Sequence, residues 1–309
     1  MCIRYSSVPV TEVRLACEGC HTDKPHYGDG LLDHHLNKHS DTIACTTCHA
    51  PVYAKCKPTK TWWDWSKAGD TNRKAKKDKY GMGDYHWKKG EFIWKESPKP
   101  VYRWYGGFME RVLLGDKIDM DAEWTDLTKP VGSINDPRSK ISPFKIMGGV
   151  QPVDQENHYL LVPHLYPKGK DDKTAFWKHR DWQKAFDTGM KAANLPYSGK
   201  YDWVKTRMFW GVEHEVMPAN MALSCVQCHD SLKGERTCDR CHQDSRSVDF
   251  KQIAHKGTDF SYMLSKGRDV RHLIGSTDYI DFKSLGYKGD PVIHGGRFKK
   301  LPMGYKAHR

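Results

Sequence analysis

Residues 45–49 read C-T-T-C-H, and the same C-x-x-C-H pattern recurs as C-E-G-C-H at 17–21, C-V-Q-C-H at 225–229 and C-D-R-C-H at 238–242. Eight of the ten cysteines therefore share one spacing, and a histidine follows each pair at once. The pattern is typical of covalent haem c attachment, in which two thiols on one helical turn join the same porphyrin and the adjacent imidazole binds its iron. The sequence predicts four haem c groups.

These motifs define the candidate site residues. The cysteines predicted to attach haem are Cys17, Cys20, Cys45, Cys48, Cys225, Cys228, Cys238 and Cys241, and the predicted proximal iron ligands are His21, His49, His229 and His242. Cys2 and Cys56 belong to no motif and receive no role.

Other functions of a C-x-x-C pair stay open. Such pairs form half of a zinc ribbon or knuckle, and they also occur as redox dithiols. Neither function requires histidine after the second cysteine, and only 17 of the 309 residues are histidines. Zinc remains the main alternative because the last two motifs are only 13 residues apart. Disulfides within the pairs are the weakest interpretation, since such short loops constrain the chain little.

The composition agrees with a core that is partly not protein. Only 38% of residues are hydrophobic and the mean hydropathy is −0.77, yet 11 Trp, 15 Tyr and 10 Phe argue against disorder. Four buried apolar haem discs would replace side-chain burial, which contributes about 25 cal/mol per Å². No run of 18 apolar residues occurs, so the sequence predicts no transmembrane helix. The net charge of +12 comes with no nucleic-acid recognition motif, and nucleic acid is not an expected partner.

Haem c attachment outside the cytoplasm predicts a periplasmic or otherwise exported protein. The first residues, M-C-I-R-Y-S-S-V-P-V-T-E-V, contain no apolar signal-peptide core. We therefore expect a fragment or an N-terminally shortened gene product.

The motifs divide the chain into three predicted regions. Residues 1–60 form an N-terminal two-haem segment, 61–210 an aromatic-rich middle region with all 11 tryptophans, and 211–309 a second two-haem segment with a surface-wrapping tail. The predicted fold is mainly α with much irregular structure. We expect closely packed haems, short helices at the motifs and a few short strands in the middle.

Local patterns in the middle region predict individual elements. F-I-W at 92–94 and V-Y-R-W-Y at 101–105 favour strands, as does H-Y-L-L-V-P-H at 158–164. Gly148, Gly149 and Pro152 predict a break in the chain. Residues 174–194 favour one helix with Thr174 as its N-cap.

The basic run at 67–79 favours a solvated loop, with a patch that steers acidic partners or anionic substrates as the alternative.

Thirteen histidines outside the motifs are available as second axial ligands, which low-spin electron-transfer haems require. Proximity to a motif favours His39, six residues before Cys45, and His214, eleven residues before Cys225.

Longer stretches carry a family resemblance. They are L-N-K-H-S-D-T-I-A-C-T-T-C-H-A-P-V-Y-A at 36–54, P-T-K-T-W-W-D-W-S-K-A-G-D at 58–70, K-P-V-Y-R-W-Y-G-G at 99–107, P-Y-S-G-K-Y-D-W-V at 196–204 and L-G-Y-K-G-D-P at 285–291. With them the chain resembles the C-terminal, four-haem half of the octahaem tetrathionate reductase family of c-type cytochromes.

The resemblance implies His26, His39, His164 and His214 as distal iron ligands. In that family the catalytic haem has a lysine ligand and belongs to the N-terminal half. No lysine-ligated motif matches this sequence, so the resemblance implies no catalytic residue here.

The leading functional hypothesis is an electron-transfer module in which electrons pass between neighbouring haems. Its expected partners are redox proteins or quinol-linked electron donors. A second hypothesis is a multihaem reductase of sulfur or nitrogen oxyanions, such as tetrathionate, nitrite or hydroxylamine, with one open axial site. A third is a subunit of a polymeric cytochrome wire, which requires haem contacts between subunits.

Overall fold

The structure is a computed structural model that describes residues 17–27, 31–214, 216–229, 279–294 and 296. Its centre is a mixed sheet of eight strands. The strands are β1 (Thr59–Asp64), β2 (Tyr85–His86), β3 (Gly90–Lys95), β4 (Val101–Tyr105), β5 (Phe108–Arg111), β6 (Thr125–Val131), β7 (Lys140–Asp154) and β8 (Tyr201–Gly211).

Strand β7 is the central strand of this sheet. The strand order is β2-β3-β1-β7-β8-β6-β5, and β4 pairs with β7 as well. Strands β7 and β8 are antiparallel from Phe144↔Gly211 to Asp154↔Tyr201. The pairs β1–β7 and β6–β8 are parallel. The 15-residue β7 therefore joins the tryptophan-rich β1 to the second half of the sheet.

The helices are short. They are α1 (Glu18–His21), α2 (Leu31–His39), α3 (Cys45–His49), α4 (Phe176–His179), α5 (Trp182–Ala192), α6 (Cys225–Cys228) and α7 (Pro291–His294). In the ranges given above, no helix is both long and apolar enough to cross a bilayer.

The prediction of a mainly α fold is wrong, because the described middle of the chain is chiefly a sheet. Short helices do form at the three described motifs, as predicted, but each contains only four or five residues. The aromatic and β-branched residues between the motifs pack on a pleated surface instead, which their side chains favour.

The predicted break at Gly148 and Gly149 is also wrong, since both residues lie inside β7. A Cβ atom on Gly149 would lie 2.5 Å from the carbonyl oxygen of Trp63, and one on Gly148 would lie 2.9 Å from the Trp62 ring. The glycines allow the backbones and indoles of β1 to lie directly against β7, a close approach that is a common reason for glycine in a strand.

The helix predicted over 174–194 is divided into α4 and α5. Arg180 between them has a φ of 58°, in the left-handed region. Asp181 then caps α5 by accepting a hydrogen bond from the Lys184 amide at 3.1 Å. Thr174 is not the N-cap; Ala175 precedes α4 and makes no side-chain cap.

The strands predicted at 92–94 and 101–105 are confirmed by β3 and β4. The strand predicted at 158–164 does not form; Leu160 makes only an isolated bridge to Val153. The basic run at 67–79 is confirmed as a largely exposed loop, apart from Lys67 at the end of a 3-10 helix.

The main apolar core joins the segment after the second motif, strands β4 and β7, the segment before the third motif and residues 279–285. It comprises Val52, Tyr102, Trp104, Ile141, Met217, Met221, Tyr279, Ile280, Phe282 and Leu285. The tail is predicted to cover the surface, yet four of its residues lie in this core. A smaller cluster around α5 contains Tyr159, Leu161, Phe186 and Met190.

Candidate haem-binding site

Helix α3, which carries the second C-x-x-C-H motif, is fixed on the edge of the sheet. The Ala44 amide and the Thr47 hydroxyl both donate to the carbonyl of Ile141, at 2.9 and 2.8 Å. The Leu223 amide donates to the Cys48 carbonyl at 3.0 Å. These bonds join the second motif to β7 and to the segment that leads into the third motif.

Cysteines of the three described motifs lie close to one another. The thiols of Cys17 and Cys45 are hydrogen-bonded, and this bond lowers the pKa of Cys17 to about 6. Cys48 lies close enough to Cys225 and Cys228 for their charges to interact, and burial raises the pKa of Cys48 to about 11. The second motif therefore lies between the first and the third.

Two predicted proximal histidines use the same ring nitrogen for a hydrogen bond. His49 donates from Nδ1 to the Met217 carbonyl at 3.1 Å, and His229 donates from Nδ1 to Asp290 Oδ1 at 2.8 Å. Such a bond fixes the tautomer and orients the imidazole, as histidines that bind metals commonly require. Within the described part of the chain, Nε2 of both rings is left for an iron.

His39, at the end of α2, faces His229. Their ring centroids are 6.2 Å apart and their planes differ by 24°. This separation is close to the span of two imidazoles on opposite sides of one iron, for metal–nitrogen distances of about 2.0 Å. Burial and the charge of His229 lower the pKa of His39 to about 4, which keeps its imidazole in the neutral form that binds metals.

His26 is held by Asn37 of α2. Its Nδ1 donates to Asn37 Oδ1 at 3.2 Å, and Asn37 Nδ2 donates back to the His26 carbonyl at 2.8 Å. His21 is exposed. The predicted distal ligand His26, unlike the proximal His21, thus has its Nδ1 fixed by a side chain.

The other predicted distal ligands are placed differently. His164 donates from Nε2 to Asp172 at 2.7 Å and lies in the loop that contacts α4 and α5. His214 is exposed just after β8. His242, Cys238 and Cys241 fall outside the described residues.

Two buried hydroxyls lack an acceptor among the described residues, as expected where a cofactor or a water would supply one. Tyr102 and Tyr279 are 4% and 2% exposed, and neither hydroxyl has a hydrogen-bond partner within the described ranges. Both phenols lie near Cys228, and burial raises the pKa of each. Buried hydroxyls are rarely left unpaired. A haem attached at Cys228, or a water beside it, would supply the missing acceptor.

The C-x-x-C-H motifs alone do not predict Asp290, Tyr102 or Tyr279 as residues of the site. Asp290 lies in the stretch L-G-Y-K-G-D-P at 285–291, whose family resemblance is the one signal that could have found it. Tyr102 lies in the stretch K-P-V-Y-R-W-Y-G-G at 99–107 and carries the same signal, whereas Tyr279 carries none. Only the fold brings the two phenols to Cys228.

Comparison with known proteins defines the class. Residues 60–232, more than half of the chain, match the sequence family described as "Cytochrome c bacterial". The chain therefore belongs to the bacterial cytochrome c family, and membership implies covalently bound haem c. No curated protein sequence matches the chain.

A solved structure narrows the relationship. The octaheme cytochrome c from Shewanella oneidensis matches with a TM-score of 0.69 and 33% sequence identity, over 93% of this chain and 53% of that one. The chain thus spans about half the length of this relative. The resemblance to octahaem cytochromes is confirmed, and the protein is a multihaem cytochrome c related to octaheme cytochrome c.

Proposed function

We propose that this chain is a tetrahaem electron carrier that acts after export to the periplasm. The observation that supports the proposal is the proximity of His39 to His229, two imidazoles of this chain that would together hold one haem iron. An iron with two protein ligands has no position for a substrate and is suited to electron transfer.

The proposed ligand set follows the four motifs. Each C-x-x-C pair holds one haem c, with His21, His49, His229 and His242 as proximal ligands. His39 is the distal ligand of the haem attached at Cys225 and Cys228. His26 and His214 remain proposed distal ligands, and His164 would bind iron through Nδ1, because its Nε2 is bonded to Asp172.

Bound haem c supplies a reversible one-electron iron couple. The residues of this chain set its environment. Asp290 accepts a hydrogen bond from Nδ1 of His229 and increases the basicity of that imidazole. The Met217 carbonyl does the same for His49 with a neutral dipole.

The contacts between motifs suggest the order of transfer. Cys17 contacts Cys45, and Cys48 lies near Cys225 and Cys228. The cofactors of the first and third motifs would therefore both adjoin that of the second. We propose that electrons enter and leave at the haems of the first and third motifs, in exchange with redox partner proteins or quinol-linked donors.

Spectroscopy tests this function against reduction of an oxyanion at an open iron. In the carrier, electron paramagnetic resonance (EPR) of the oxidised holoprotein shows only low-spin iron, and nitrite, hydroxylamine or tetrathionate changes neither this spectrum nor the visible one. Turnover-dependent reoxidation of the reduced protein by one of these three compounds, or a new ligand band, would overturn the carrier proposal in favour of a reductase.

A further inference from the structure

An open cleft of about 500 Å³ lies on one face of the sheet, across β1, β7 and β8. Its floor includes Met147 and Gly149 of β7 and Met208 of β8. Met147 and Met208 are paired in the β7–β8 register. Its sides include Trp63, Trp65, Trp94, Trp210, Lys60 and Lys145. We call these six side chains, with the floor, the Trp–Lys cleft.

The indoles provide flat stacking surfaces. Trp63 and Trp65 are stacked on each other, with centroids 4.7 Å apart and planes at 17°. Trp210 is 54% exposed although it is a large apolar residue. Gly149 lies opposite Trp63 in the β1–β7 register and lets the β1 backbone lie directly against the cleft floor. A volume of this size suits a small molecule of a few rings.

The two lysines give the cleft its charge. Lys60 Nζ lies 4.1 Å from the Trp63 centroid and 3.9 Å from that of Phe92. Lys145 Nζ donates to Thr59 Oγ1 at 2.6 Å, which places it beside the residue that precedes Lys60. Neither ammonium pairs with a carboxylate in the described ranges, and the cleft lining contains no carboxylate.

Both ammonium groups are therefore partly desolvated without a counter-charge. Burial lowers the pKa of Lys60 and of Lys145. Such an environment favours an anion, because a negative group restores to each lysine the stabilisation lost with its water.

We propose that the Trp–Lys cleft binds a planar aromatic molecule that carries an anionic substituent. Its ring stacks on the exposed indole of Trp210 and on the part-exposed indoles beside it, and its carboxylate or sulfonate lies between Lys60 and Lys145. A simple oxyanion would pair with the lysines but leave the tryptophans uncovered. A cation would be repelled by the two lysines. The site is independent of the proposed electron transfer.

Calorimetry of the holoprotein with naphthalene-2-sulfonate tests the binding. Cyclohexanesulfonate and naphthylmethylammonium are the matched ligands that lack, respectively, the aromatic ring and the negative charge. We expect naphthalene-2-sulfonate to bind at least tenfold more tightly than either. Equal affinity for the cyclohexyl compound, preference for the cation, or no binding of the naphthyl anion would each overturn the proposal.

Variants locate the site. Lys145→Gln is expected to weaken binding of naphthalene-2-sulfonate about tenfold, through loss of one charge-assisted hydrogen bond. Trp210→Leu is expected to weaken it similarly, while the exposed Lys95→Gln, outside the lining, leaves it unchanged. Because Trp210 is half exposed, its removal is compatible with folding, which circular dichroism confirms. Unchanged affinity in both cleft variants contradicts the assignment.

Discussion

The imidazole rings of His39 and His229 lie with their centroids 6.2 Å apart and their planes 24° apart, although 190 positions separate them in the chain. One ends α2, before the second motif, and the other follows α6, in the third motif. A haem held between them would join two segments that the sequence separates widely. This relationship connects the fold to the proposed function.

Replacing His39 tests that pair directly. His39→Ala is expected to leave one iron with a single protein ligand, so one haem changes from low to high spin and binds carbon monoxide when reduced. EPR of the oxidised protein measures the change. His34→Ala, on the exposed face of the same helix, is the matched control and keeps every haem low-spin. An unchanged low-spin spectrum in His39→Ala would exclude His39 as a ligand.

The carboxylate behind His229 is expected to lower the reduction potential of its haem. Asp290 Oδ1 accepts from His229 Nδ1, and its negative charge favours the more positive, oxidised iron. Asp290→Asn keeps the acceptor but removes the charge, so the potential of one haem rises. Spectroelectrochemical titration detects the shift. Asp281→Asn, an exposed neighbour in the same segment, should leave all potentials unchanged.

The buried phenols of Tyr102 and Tyr279 near Cys228 give a prediction in which a haem potential falls instead of rising. If the haem or an ordered water accepts from Tyr102 and Tyr279, each Tyr→Phe variant loses about 1 kcal/mol in the free energy of unfolding of the holoprotein. Loss of a donor directed at the haem also lowers its potential. With no acceptor, phenylalanine is neutral or stabilising. Denaturant titration and potentiometry distinguish these outcomes.

Tyr85→Phe is the control for the phenol variants. Its hydroxyl donates to the Asp70 carbonyl at 2.9 Å in a loop beside β2. The variant is expected to lose about 1 kcal/mol of unfolding free energy with no change in any haem potential.

The contact between β1 and β7 depends on Gly149. Gly149→Ala would place a methyl group 2.5 Å from the Trp63 carbonyl oxygen, and the strands would have to separate. We expect the free energy of unfolding to fall by about 2 kcal/mol or more. Gly169→Ala, where no atom lies within 4 Å of the added Cβ, should change it by less than about 0.5 kcal/mol. Equal stability of the two variants in urea would contradict the close approach.

Local chemistry in this chain could be predicted from sequence, but the sheet could not. The C-x-x-C-H segments contain their whole signal within five residues, and short helices form at the three described ones. The glycines of β7, in contrast, look like a chain break until Trp62 and Trp63 are known to lie against them. Long-range pairing of β1 with β7 gives no local pattern.

The candidate haem-binding site likewise combines residues that local sequence predicts with residues that only the fold brings together. The proximal histidines follow from the motif, whereas Asp290 and Met217 reach them only through the fold. Among the predicted distal ligands, His39 is favoured because it lies close in sequence to the second motif, six residues before Cys45. The structure instead places its ring 6.2 Å, between centroids, from that of His229 in the third motif, a proximity that only the fold creates.

The mass of the denatured, exported holoprotein tests the central claim most directly. Thioether bonds survive denaturation and chelation, so we predict a chain that carries the added mass of four haem groups, one for each C-x-x-C-H motif. A protein of unmodified chain mass that loses zinc to a chelator would contradict the account. Fewer than four attached haems would contradict the tetrahaem assignment.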